Sequence, residues 1–111
     1  MDDLLQLPRE ALATLAIETW RLCQNLEKLP NQPNIVALRY SARKLRQTLE
    51  NQGCSFLDYT GQIYDAGLAV EVIDIEADES KENKLIIKEM VVPIILFQNK
   101  LLVSGQVILG R

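Results

Sequence analysis

Apolar residues recur at alternating steps of three and four along the first half of the chain. In a first run these positions are Leu12, Leu15, Thr19, Leu22, Leu26 and Leu29, of which Thr19 alone is polar. In a second run they are Ile35, Leu38, Ala42, Leu45 and Leu49. Such spacing places the residues on one face of an α-helix. Pro8 suits the first turn of the first helix, Pro30 ends it, and Gly53 ends the second helix. The pattern therefore predicts two helices joined by a short turn at residues 31–34.

Two such helices joined by a short turn are expected to pack as an antiparallel hairpin. Other apolar residues lie outside the regular spacing and widen the apolar surface beyond what one hairpin can bury: Leu4, Ile17, Trp20, Val36 and Tyr40. Either the second half of the chain covers this surface, or two hairpins associate as a homodimeric four-helix bundle. In the bundle, the predicted dimer interface consists of Leu15, Leu22, Leu26, Leu38, Leu45 and Leu49.

The period changes in the second half, where apolar and polar residues alternate. Residues 68–75 read LAVEVIDI, which is typical of a strand with one face in water. The polar run 76–83 predicts a loop, Pro93 predicts an edge, a break or a bulge, and residues 98–100 predict a turn. Further strands are predicted over residues 84–90, 91–97, 101–103 and 106–109.

Together these elements predict an α+β protein. Residues 1–53 would be an N-terminal antiparallel helical hairpin that serves dimerisation and becomes a four-helix bundle in the dimer. Residues 54–111 would be a small all-β C-terminal domain that binds a partner.

Composition argues against an enzyme. The 111 residues include no histidine, which removes imidazole as a general base, as a metal ligand and as a catalytic partner of Ser or Cys. The five glycines are scattered, so no phosphate-binding loop is present. A net charge of −3 is too acidic for a dedicated nucleic-acid binder. We therefore expect a protein that is not an enzyme and holds no cofactor or metal.

Charged residues and cysteines form several small groups. Cys23 and Cys54 are expected to be buried, reduced thiols, because no basic residue or resolving cysteine lies near Cys54 in the sequence. The acidic group around Glu71 and Asp74 lacks the spacing of a calcium loop and predicts a solvated strand face. Four basic residues cluster in the second helix, either as a solvated face or as a contact for RNA or an acidic partner: Arg39, Arg43, Lys44 and Arg46.

The sequence shows no signal for export or membrane insertion. Its N-terminus is acidic, and its longest apolar run, residues 90–97, is much shorter than the roughly 20 residues that span a bilayer. We expect a cytoplasmic protein without a membrane span.

The order of the elements, and a motif that follows the helices, resemble the C-terminal part of the GrpE family of nucleotide exchange factors for DnaK-type chaperones. The family motif is G-x-x-F-D-P-x-x-H-E-A-V, and residues 61–72 here read GQIYDAGLAVEV. Tyr64 and Asp65 match its aromatic–Asp pair, and Val72 matches its last residue. The resemblance extends over about residues 8–110, nearly the whole chain.

This sequence also departs from the family pattern. Ala66 and Ala69 stand where the family has Pro and His, and residues 103–105 read VSG in place of Arg-Pro-Ala. Residues 92–94 read VPI where the family pattern has a Gly-Tyr segment. No segment corresponds to the family's long N-terminal coiled coil.

The resemblance implies a co-chaperone. Family members dimerise through a four-helix bundle, and their β-domain binds the nucleotide-binding domain of a DnaK-type ATPase, holds its cleft open and releases ADP. The implied partner-binding residues are Tyr64, Asp65, Phe97, Asn99, Lys100, Leu101 and Gln106. Phe97 and Leu101 would supply apolar contacts, and Lys100 an ion pair, whereas Tyr64 and Asp65 would shape a turn. The alternative is a non-enzymatic adaptor or oligomerisation module with a GrpE-like fold and a different protein partner, and a third hypothesis, a small enzyme, requires a deep pocket lined by carboxylates.

Overall fold

Two helices followed by six strands make up the described part of the chain, so the predicted α+β class is confirmed. The structure is a computed structural model that describes residues 5–76 and 84–110. The chain divides after Gln52 into two compact units, residues 1–52 (the helical unit) and residues 53–111 (the β-unit). Leu4 and all of the predicted loop at 76–83 except Glu76 lie outside the described residues.

The helical unit contains α1, Arg9–Glu27, and α2, Pro33–Asn51. Pro8 precedes α1, and its carbonyl accepts a hydrogen bond from the Leu12 N–H at 3.1 Å. α2 begins at Pro33, which the sequence pattern places in the turn at residues 31–34. Pro33 is therefore the first residue of the helix and not part of the turn. Proline suits this position because the N–H that it lacks has no partner within the helix.

Small side chains and one arginine hold the two helices together. Cys23, Leu26 and Ala42 form a buried cluster, in which the Cys23 thiol donates to the Ala42 carbonyl at 3.5 Å. Arg39 Nε donates to the Leu26 carbonyl at 2.8 Å, and its terminal nitrogens donate to the Leu29 carbonyl and to Asn31. Because Leu26 meets Arg39 and Cys23 meets the later Ala42, α2 runs back along α1. Arg39 thus bonds one carbonyl in the last turn of α1 and one in the residues that follow it.

The β-unit contains two three-stranded sheets. Its strands are β1 (Cys54–Leu57), β2 (Val70–Ile75), β3 (Ile86–Val92), β4 (Ile94–Phe97), β5 (Lys100–Val103) and β6 (Gly105–Gly110). The first sheet has the order β1-β4-β5, and both of its pairs are antiparallel. The second has the order β2-β6-β3, in which β2 is parallel and β3 antiparallel to the central β6.

Two pairs of consecutive strands run from one sheet into the other, and we call each pair an arm. One arm is β3 followed by β4, interrupted at Pro93, and the other is β5 followed by β6, interrupted at Ser104. On either side of the interruption, Val92 pairs with Gln106 and Ile95 with Val103. The interruptions therefore lie opposite each other, and both arms pass from one sheet to the other at the same level. Pro93 is fully buried and lacks the N–H that would continue the ladder.

The core of the β-unit comes from these arms, with Cys54 of β1 added. It consists of Cys54, Ile87, Met90, Val92, Ile94, Ile95, Val107 and Leu109. Ile87, Ile95 and Leu109 are fully buried, and each contributes about 1.5–3 kcal/mol through the hydrophobic effect.

A tight turn between β4 and β5 is held against Gly53. Gln98 and Asn99 both have positive φ, 51° and 66°, as the central residues of a tight hairpin turn do. The Gln98 N–H donates to the Gly53 carbonyl at 2.9 Å. Gly53 has a φ of 114°, which side-chain-bearing residues rarely adopt, and a Cβ there would lie 3.1 Å from Gln98 Cγ.

Gly53→Ala is expected to lower the free energy of unfolding by about 1–3 kcal/mol, because alanine is strained at this φ. Urea unfolding followed by circular dichroism measures the change. Gly67→Ala is the matched control, since Gly67 has no positive φ and a Cβ there makes ordinary contacts with Asp65 at 3.5 Å or more. Equal losses in the two variants would contradict the assignment of strain to Gly53.

Candidate functional site

Four of the implied partner-binding residues meet at the β4–β5 turn. Phe97 ends β4 and is half-buried, Asn99 lies in the turn, and Lys100 and Leu101 begin β5 with exposed side chains. Phe97 pairs with Lys100 across the ladder. An aromatic ring, a turn amide, a cation and an aliphatic side chain thus share one end of the first sheet. We call these four residues the turn surface.

Tyr64 and Asp65 lie away from the turn surface. The Tyr64 N–H donates to the Leu85 carbonyl at 2.8 Å, just before the start of β3, whereas Phe97 ends the same arm. Asp65 Oδ1 accepts from the Gly67 N–H at 2.9 Å, and the Asp65 carbonyl accepts from the Leu68 N–H at 3.0 Å. These two Asp65 bonds are those of an Asx-type turn over residues 65–68.

Gln106 is separated from both groups. It lies in the central strand β6, half-buried, where it pairs with Glu71 on one side and Val92 on the other. The structure therefore brings together Phe97, Asn99, Lys100 and Leu101, and places Tyr64, Asp65 and Gln106 elsewhere in the β-unit.

The helices leave a row of leucines exposed. Leu15, Leu22, Leu29, Leu38 and Leu45 are each between 43% and 52% exposed, and we call them the leucine surface. Leu26, predicted for the dimer interface, is buried and contacts Cys23 and Ala42 within the helical unit. Leu49 is half-buried. Leu29 is exposed like its neighbours, although it was not among the predicted interface residues.

The five leucines lie on one side of the helix pair. On α1, Leu15 and Leu22 are seven positions apart, about 20° short of two full turns, and Leu29 follows two residues after the helix ends. Seen along each helix from its N-terminus, the exposed leucines lie roughly 50–70° around the helix axis from the residues that contact the other helix. The direction of this rotation is the same on both helices. Because the helices run in opposite directions, equal rotations bring both rows to the same side.

The two thiols are poor nucleophiles. Burial raises the pKa of Cys54, and it also raises the pKa of Cys23, where Arg46 opposes it. Both side chains are buried, and neither forms a disulfide. A thiol with a raised pKa carries little thiolate near neutral pH. Within residues 5–76 and 84–110, no group of three Cys, Asp or Glu side chains is placed to hold a metal ion.

One feature of the helical unit has only a weak signal in the sequence. Asn31, Val36, Arg39, Tyr40 and Arg43 line an open groove of about 470 Å³. Spacings of three and four residues put the α2 members side by side, which the sequence does indicate. Asn31 precedes α2, and its place in the groove depends on the bond from Arg39.

The raised pKa of Cys23 predicts a pH dependence of stability. Below about pH 8.5, the ordinary pKa of a thiol, both the folded and the unfolded chain hold the proton and the stabilisation is complete. As the pH rises towards the folded pKa, the unfolded chain ionises first and stability falls. Cys23→Ala should reduce this alkaline loss, measured by urea unfolding between about pH 7 and pH 10.

Leu26→Ala is the control for Cys23→Ala, because it removes packing from the same cluster but no ionisable group. It should lower stability by about 2–5 kcal/mol and keep the alkaline slope of the original chain. An unchanged slope in Cys23→Ala would show that this thiol does not cause the loss.

Comparison with protein-family models, with curated proteins and with solved structures finds no match. The resemblance to the GrpE family therefore rests on the residues of this chain alone. Among the described residues, neither helix is long and apolar enough to cross a membrane.

Proposed function

We propose that this chain is a non-enzymatic, homodimeric protein-binding factor that accelerates ADP release from a DnaK-type ATPase. The leucine surface supports the proposal most directly, because five half-exposed leucines on one side of a helix pair are an apolar patch that a protein partner would cover. The resemblance of residues 61–72 to the GrpE motif supports the choice of ATPase.

In the proposed dimer, the leucine surfaces of two copies face each other. A two-fold axis brings each row against the equivalent row of the second copy, which is the geometry of a four-helix bundle. Every leucine that becomes buried contributes about 1 kcal/mol, half of the value for full burial of a leucine. Leu22 and Leu45 lie near the middle of the surface, where a charge would be most costly.

In the proposed exchange step, the turn surface contacts the nucleotide-binding domain of the ATPase. Phe97 and Leu101 supply apolar contact, and the exposed Lys100 supplies an ion pair. The factor binds the open domain more tightly than the closed, nucleotide-bound one, and this difference in affinity drives ADP release. No covalent step is required, which suits thiols whose pKa is raised.

A second candidate is an adaptor that binds a different protein. Ala69 favours it, because this exposed residue stands where the family motif has His. The Ala69 carbonyl accepts a hydrogen bond from the Gly105 N–H at 2.9 Å. The methyl side chain of Ala69 cannot form a hydrogen bond with a partner. A family partner that relied on this His would find no equivalent group here.

The proposed dimer is tested by sedimentation equilibrium at micromolar concentration. We expect twice the mass of the chain, and we expect Leu22→Glu and Leu45→Glu to weaken self-association at least about tenfold because each places a charge in the apolar interface. Circular dichroism should show unchanged helix content, since both residues are half-exposed in the single chain.

Leu5→Glu is the matched control for these variants. Leu5 is almost fully exposed and precedes α1, so the same change there should leave the mass unchanged. A monomeric original chain, or equal effects of all three substitutions, would refute the dimer.

The proposed exchange activity is tested by the release of a fluorescent ADP analogue from a DnaK-type ATPase. We expect the chain to accelerate release, and Lys100→Glu to reduce the acceleration at least about fivefold by reversing the charge on the turn surface. Lys88→Glu is the control, because Lys88 is an exposed lysine of the second sheet. No acceleration, together with no complex in size-exclusion chromatography, would exclude the exchange factor and favour the adaptor.

A further inference from the structure

A second surface of the helical unit combines exposed apolar and basic side chains. Val36, Tyr40 and Lys44 follow one another at steps of four along α2, and Arg39 and Arg43 form a parallel row beside them. Steps of three and four bring side chains together on one helix face. Val36 is 54% exposed and Tyr40 is 67% exposed, and both line the groove of about 470 Å³. We call Val36, Tyr40, Arg43 and Lys44 the α2 groove surface.

The α2 groove surface is basic in an otherwise acidic chain. α2 carries four cations, Arg39, Arg43, Lys44 and Arg46, against the single anion Glu50. The whole chain has a net charge of −3, so positive charge is concentrated on this helix. A surface that combines exposed apolar side chains with cations complements a partner that combines apolar side chains with carboxylates.

The cations of α2 differ in the contacts that they make. Arg39 is tied to the end of α1 by its bonds to the Leu26 and Leu29 carbonyls and to Asn31, so its role is structural. Arg43 pairs with Glu27 at 2.6 Å, with both side chains more than half exposed, and such a pair is weak enough to exchange partners. The Lys44 ammonium lies 6.0 Å from the centre of the Tyr40 ring and is exposed to solvent. Arg43 and Lys44 are thus the cations that can receive carboxylates.

The α2 groove surface lies on the opposite side of α2 from the leucine surface. Leu38 and Tyr40 are two residues apart, which is about 200° around the helix. The groove therefore stays open when the leucine surface is covered, and the two surfaces can act independently.

We propose that the α2 groove surface binds an acidic amphipathic helix of a partner protein. Apolar side chains four residues apart on that helix pack on Val36 and Tyr40, and carboxylates on its flank meet Arg43 and Lys44. The net charge of −3 favours protein over nucleic acid, because an acidic chain repels a phosphate backbone. This proposal goes beyond the exchange function and does not depend on it.

The probe is a fluorescein-labelled peptide of about 16 residues, long enough for roughly four helical turns, built from Glu and Ala with two Leu four residues apart. Fluorescence anisotropy should show binding that weakens as NaCl rises from about 50 mM to about 300 mM. Amide resonances of Val36, Tyr40 and Lys44 in the ¹⁵N-labelled chain should shift on addition of the peptide.

Lys44→Glu and Tyr40→Ala should each weaken peptide binding about tenfold. The first substitution reverses a charge, and the second removes one of the two apolar side chains on which the peptide packs. Both residues are exposed, so folding and the sedimentation mass should not change. Lys88→Glu, on the β-unit, is the charge-reversal control and should leave the peptide affinity unchanged.

Three results would overturn the proposal. One is equal binding of a peptide with Lys in place of every Glu, since that excludes charge complementarity. Another is binding of a labelled oligouridine at the same resonances without binding of the acidic peptide, which would assign the surface to nucleic acid. The third is no binding of either probe. None of these measurements involves the ATPase, so failure here and failure of the exchange activity are separate results.

Discussion

A pair of helices can bury only one narrow face of each member, and the helical unit is organised by that limit. The cluster between the helices joins two small residues, Cys23 and Ala42, to the larger Leu26, and α1 also buries Ala16, Thr19 and Trp20. Everything else that is apolar on these helices must be covered by something outside the pair or stay in water. The leucine surface and the α2 groove surface both remain exposed, and they differ in chemistry because only the α2 groove surface carries cations.

The periodicity of the chain predicts the helices and the α+β class well, because a helix buries a face that repeats every three to four residues. It does not separate Leu26 from Leu22, which belong to the same row in the sequence. Leu26 packs within the pair and Leu22 stays exposed, since a rotation of about 40° decides which of them meets α2. Periodicity alone does not set that rotation, which depends on close approach at Ala42 and on the bonds of Arg39.

The β-unit shows what strand patterns leave open. The alternation in residues 68–75 correctly predicts a strand, but nothing in it indicates that this strand pairs in parallel with β6 rather than with its sequence neighbour β3. β1 was not predicted, because four residues are too few for a pattern of alternation. Pro93 was predicted as an edge, a break or a bulge, and it lies at the interruption where one arm passes between the sheets. Sheet order depends on contacts between distant segments, whereas breaks and turns depend on local residue type.

A factor without a reactive group can act only through binding free energy, and this limits how the proposed function can work. The shift that it imposes on an ATPase cannot exceed the difference between its affinities for the open and closed forms. Four residues at the turn surface form a small contact, and a small contact supplies only a modest difference. In the proposed dimer, a second contact through the other copy or through the α2 groove surface would raise the effective concentration of the turn surface without changing its own contacts.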